Sequence, residues 1–77
     1  MARGDIQAGR RILARNLHRL RLERKMTQDV LADEAGVRQA LISELESGKI
    51  DVRLDTLQRI ASALNARLAE LLDDGKR

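Results

Sequence analysis

Seventy-seven residues without Cys, Phe, Trp or Tyr hold at most one hydrophobic core, with no disulfide framework to reinforce it. The missing aromatics also remove the stacking platforms of single-stranded nucleic-acid binders and RNA-recognition sheets, while duplex DNA stays open as a partner. Fifteen Lys and Arg against 12 Asp and Glu give a formal charge of +3, and the excess is N-terminal: residues 1–26 carry eight cations and two acids. Such a segment suits a phosphate backbone or an anionic surface, and equally an ordinary solvated helix face. No apolar run exceeds three residues, far short of a bilayer span, and no signal-peptide pattern opens the chain, so a soluble cytoplasmic protein is expected.

The periodicity is helical throughout. A first helix is expected from residue 5 or 6 to about residue 24, with Ile6, Leu13, Leu17 and Leu20 on one face and Arg11, Arg15, His18, Arg19 and Lys25 on the other. Asp5 is its expected N-cap, and residues 1–4 are expected to be flexible. Thr27 caps a second helix whose apolar residues are Val30, Leu31, Ala32 and Ala35, and Asp29 suits its positive N-terminus. Gly36 ends that helix in a left-handed turn from which Val37 packs back. A third helix is expected over residues 38–47, closed by Gly48. Leu54, Leu57, Ile60, Ala61 and Leu64 mark a fourth, with Asn65 in the left-handed position after it. Leu68, Leu71 and Leu72 mark a short fifth helix ahead of a polar, flexible tail, residues 73–77. The expected fold is therefore all-α, five helices in a single domain over residues 1–77.

Residues 28–47 read as helix, sharp turn, helix. Ala32 allows close approach of the two helices, Gly36 makes the turn, and Leu31, Val37, Ile42 and Leu45 fill the wedge between them. An ordinary α–α corner needs similar residues, but the number of positions that agree favours a helix-turn-helix. On the wheel of the third helix, Leu41, Ile42 and Leu45 face inward. Gln39, Ala40, Ser43, Glu44 and Ser47 face outward. Gln39 matches the adenine edge, Ala40 the thymine methyl and Glu44 the cytosine amino group. A solvated face carries the same short polar residues, and it is their place in the motif that favours base readout, with Arg38 at the head of the set. Thr27 and Gln28 open the second helix, where free N–H groups and the helix dipole favour a phosphate. Lys49 and Arg53 are the nearby cations expected on the DNA backbone, and Arg10 and Arg11 are expected to steer DNA.

These residues resemble the lambda-repressor-like helix-turn-helix proteins, the Cro/cI or Xre family. The resemblance is carried by Leu17, Leu20 and Arg21, Thr27-Gln28 with Leu31-Ala32, Gly36-Val37, Ile42-Ser43, Leu45-Glu46 with Gly48, and Leu57, Ile60-Ala61, Leu64 and Leu71. It implies a five-helix domain with its third helix in the DNA major groove, a phosphate contact from Gln28, and a partly buried Arg21–Glu46 ion pair tying helix one to helix three. It also implies a dimer contact in the C-terminal part of the chain. There Leu68, Leu71 and Leu72 are too many apolar residues for so short a helix to bury alone, with Leu72 the first candidate. The chain departs from the family pattern at Arg38, Leu41 and Val52, where Ser or Thr, a small polar residue and Pro are usual.

The expected function is that of a bacterial or phage transcriptional regulator, binding a palindromic operator in double-stranded DNA as a homodimer, with contact to RNA polymerase if it activates. The alternatives are an antitoxin that also holds a toxin, a restriction-modification controller protein, and a helical interaction module without DNA. No cofactor, metal site or catalytic group is expected, so the chain reads as no enzyme. A lone His18 makes neither a metal site nor a nucleophilic relay and, like both Met residues, reads as background. Helix one is a poor membrane binder, since it lacks interfacial aromatics and its Leu residues are needed for the core.

Overall fold

Five described residues adopt left-handed backbone, and three of them turn the chain out of a helix alike: Lys25 at φ 57, Gly36 at φ 71 and Asn65 at φ 52. Each ends a helix in the same way. The left-handed residue and its successor return their amides to the last turn, as Lys25 to Leu22 and Met26 to Arg21, Gly36 to Asp33 and Val37 to Ala32, and Asn65 to Ser62 and Ala66 to Ala61. These paired bonds satisfy carbonyls that a helix end leaves open, and Met26, Val37 and Ala66 fold onto the core beyond them. Gly36 and Asn65 are legible in the sequence; Lys25, a residue with no preference for this conformation, is not.

The computed structural model describes residues 5–76 and contains α1 (Gln7–Glu23), α2 (Gln28–Ala35), α3 (Gln39–Glu46), α4 (Leu54–Ala63) and α5 (Leu68–Leu71), with no strand among the described residues. The fold is all-α with five helices, as expected. Residues 1–4 and 77, where flexibility is expected, lie outside the described residues. Thr27 Oγ1 accepts from the Val30 amide at 3.1 Å, so the expected cap of α2 forms, whereas the N-cap of α1 is Ile6, without a side-chain cap bond, and Asp5 stands one residue earlier with Oδ1 accepting from the Gln7 amide at 2.9 Å. None of the described helices is long and apolar enough to cross a membrane.

All five helices feed one core. Leu17, Leu31, Ile42, Ile60, Leu64 and Leu71 have no measurable exposure, and burying each such side chain stabilises by about 1.5 to 3 kcal/mol. Several expected core residues stand outside it. Ile6 precedes the first residue of α1 and is 74% exposed, Val30 and Leu54 are also exposed, and Leu41 is half-buried at the core's edge. Leu71, expected at the dimer contact, is a core residue of the monomer, and Leu68 is half-buried, which leaves Leu72 as the exposed leucine of the three. The tail is tied at its first residue. The buried Asn16 donates through Nδ2 to the carbonyls of Leu71 at 2.9 Å and Asp73 at 2.8 Å, joining α1 to the end of α5.

Candidate nucleic-acid interface

The α2–turn–α3 unit is built on small and apolar residues. Ala32 is buried between the helices, Gly36 supplies the left-handed turn, and Ile42 and Leu45 anchor α3 to the core. With those two side chains pointing in, Arg38, Gln39, Ala40, Ser43 and Glu44 are all exposed on the outward side. An eight-residue helix is about 12 Å long, a length the major groove admits. Ser47 differs from the rest of its predicted face, because its hydroxyl donates to the Glu44 carbonyl at 2.6 Å and closes the helix.

The predicted phosphate residues gather near the same unit. Thr27 is exposed at the head of α2, where its hydroxyl oxygen accepts the cap bond and its hydrogen is left to donate outward. Gln28 is half-buried, and its Nε2 donates to Glu46 Oε1 at 3.2 Å, so the start of α2 lies against the end of α3. One amide hydrogen of Gln28 remains for an outside acceptor. Lys49 follows Glu46 by three residues and Arg53 opens α4; both are exposed and, like Arg38, have no side-chain partner among the described residues. Arg11 is instead held by Asp5 at 2.8 Å, and Arg10 lines a groove beside Ile6 and Leu72, more than two turns up α1 from His18. Their predicted steering role is therefore remote from the α2 head.

The Arg21–Glu46 pair is present and belongs to a larger cluster. Arg21 Nε donates to Glu46 Oε2 at 2.7 Å, Nη2 to Oε1 at 3.0 Å, and Nη1 to the Met26 carbonyl at 2.9 Å. His18 Nδ1 lies 2.9 Å from the same Oε1 that Gln28 reaches. Burial pushes the Glu46 carboxyl up, but the hydrogen bonds from Arg21, His18 and Gln28, with the Arg21 charge, outweigh it and hold the group below its ordinary value. The bond to Glu46 raises Arg21, against desolvation. His18 is thus part of the junction of α1, α2 and α3, not background. Its sequence signal is its spacing from Arg21, three residues along one helix face. Asn16, buried where α1 meets the end of α5, is marked in the sequence by nothing but its place among the apolar positions of α1. Among the described residues no group of three His, Asp or Glu side chains converges to hold a metal ion.

The helix-turn-helix family model HTH_3 matches residues 17–71. The control protein C.BamHI of Bacillus amyloliquefaciens is 32% identical over 65 residues, covering 83% of this chain and 80% of that protein. Among solved structures, the restriction-modification controller protein C.AhdI from Aeromonas hydrophila superposes with a TM-score of 0.78 at 26% identity, over 80% of this chain and 94% of that one. The clp gene regulator ClgR from C. glutamicum gives 0.76 at 32% identity, over 82% of each chain. The motif residues, the helix order and these likenesses agree: the chain belongs to the HTH_3 family of lambda-repressor-like helix-turn-helix DNA-binding proteins.

Proposed function

We propose that this DNA-binding transcriptional regulator reads a palindromic operator as a homodimer, each protomer laying α3 in the major groove with Arg38, Gln39, Ala40, Ser43 and Glu44 toward the bases. Thr27, Gln28, Lys49 and Arg53 hold the flanking phosphates. The observation that carries this reading is the division of α3 between buried Ile42 and Leu45 and a wholly exposed opposite side. The dimer is supported by a largely apolar groove in which Ile6, Leu13, Ile50, Val52, Leu57 and Leu72 stand beside Arg10 and Asp51, with Ile6 and Leu72 exposed. A second copy of the chain is its proposed occupant. Selecting bound duplexes from a random pool tests the proposal: a two-fold symmetric consensus is expected, with half-sites about 34 Å apart. An asymmetric consensus, or none, rejects it.

A second, narrower reading is that of a restriction-modification controller. It is supported by the likeness to C.AhdI and C.BamHI, which share most of their length with this chain. Genes for an endonuclease and a methyltransferase beside this one, and binding of the protein upstream of them, are the expected observations.

A further inference from the structure

His18 lies where α1 passes the head of α2. Its Nδ1 is 2.9 Å from Glu46 Oε1, and Gln28 Nε2 is 3.2 Å from that oxygen, so the imidazole and the Gln28 amide are no more than about 6 Å apart. A carboxylate only accepts hydrogen bonds, so Nδ1 carries the proton; the Arg21 guanidinium, which only donates, adds no bond to that atom. In the neutral ring the lone pair is then on Nε2. Nδ1 is engaged by the buried carboxylate and the side chain is 54% exposed, so Nε2, which has no protein partner among the described residues, is the ring nitrogen left for an outside group.

The charges around the ring decide what that edge does. Glu46 of α3 and Arg21 of α1 are the titratable groups that face His18, and their charges cancel; α2 contributes only the neutral Gln28. A neutral imidazole presents a lone pair that repels a phosphate oxygen. A protonated one presents an N–H donor and a positive charge that nothing in the cluster offsets. We propose that His18 is a further phosphate-contacting residue, and that its Nε2 takes up a proton when the duplex binds, so that operator affinity rises as pH falls. This rests on the proposed phosphate position at the head of α2. By linkage, proton and DNA strengthen each other's binding. The chain has one His, and the interval from about pH 5.5 to 7.5 lies outside the ordinary ranges of Asp, Glu, Lys and Arg side chains.

The test is operator binding by fluorescence anisotropy across that interval at fixed salt, for the wild type, His18→Gln and His18→Lys, beside an NMR titration of the wild-type imidazole free and bound. A rise of about one unit in the imidazole pKa on binding corresponds to about a tenfold gain in affinity per protomer on acidification. The expected outcome is that gain in the wild type, a nearly flat profile for His18→Gln, a flat and tight one for His18→Lys, and a higher imidazole pKa in the complex. Parallel profiles for wild type and His18→Gln, or an imidazole whose titration DNA leaves unmoved, overturn this proposal alone. A wild type that binds no duplex at any pH overturns the operator reading and this proposal with it.

Discussion

Arg21 grips both oxygens of Glu46, Nε to Oε2 at 2.7 Å and Nη2 to Oε1 at 3.0 Å, and so fastens α1 to the last turn of α3. Their side chains are only 10% and 7% exposed, so removal of either partner leaves the other charge poorly hydrated. Arg21→Ala and Glu46→Ala are each expected to destabilise by about 3 kcal/mol, at the low end for a broken buried pair because both survivors keep a hydrogen-bond partner. The double variant should lose less than the sum, with a coupling of about 1 to 3 kcal/mol. Urea melting of the four proteins checks this, and additive losses would refute the pairing.

The same carboxylate makes stability depend on acid. The folded-state pKa of Glu46 lies below the ordinary value of 4.5, so its contribution is complete above that value and is lost as pH falls through the folded one. The urea midpoint should therefore drop on acidification below about pH 4.5, and Glu46→Gln should flatten that drop. Asp5, also held low by its bond from Arg11, sits at the exposed start of α1, and Asp5→Asn serves as the comparison. An acid limb unchanged in Glu46→Gln would assign the dependence to other carboxylates.

The helices were legible because each announces itself twice, by an apolar stripe and by its ends. Thr27, Gly36 and Asn65 act at the chain positions their chemistry indicates. Periodicity is blind to where a stripe runs past its partner. Ile6 continues the spacing of Leu13 and Leu17 but lies before the start of α1 and is exposed, and Leu71 and Leu72 are indistinguishable until the contact of α5 with α1 sends one inward. The exposed side of α3 is legible from its place in the motif, whereas polar cross-links are not. Asn16 acts through a residue 55 positions away, a separation that no local pattern encodes, and His18 meets Glu46 across 28 positions, marked in the sequence only by its three-residue spacing from Arg21.

Base readout by α3 makes a prediction that separates its residues from those at the head of α2. Gln39→Ala should weaken binding to the best operator by about 1 to 3 kcal/mol and relax preference at one base pair in each half-site. Gln28→Ala should weaken all duplexes alike, since a phosphate contact carries no sequence information. Repeating the duplex selection with both variants decides this. A Gln39→Ala protein with unchanged affinity and consensus would move the readout off this side of α3.

Assembly is the last point to test, and the two adjacent leucines at the end of α5 give it a built-in control. Under the proposed reading, an eight-residue α3 contacts few base pairs, and two copies on half-sites about 34 Å apart supply the rest of the operator complex. Leu72 is 48% exposed beside Ile6 in the largely apolar groove, while Leu71 is fully buried within the monomer. Leu72→Glu should therefore stay folded, as helical and as stable to urea as an exposed substitution allows, within about 0.5 kcal/mol of the parent. It should sediment as a monomer at concentrations where the parent is dimeric, and lose cooperative operator binding. Leu71→Glu, which forces a carboxylate into the core, should unfold instead. Sedimentation over a wide concentration range, with circular dichroism on the same samples, measures both. A parent that stays monomeric at high concentration and on operator DNA rejects the homodimer, whereas a dimeric Leu72→Glu places the contact elsewhere than this groove.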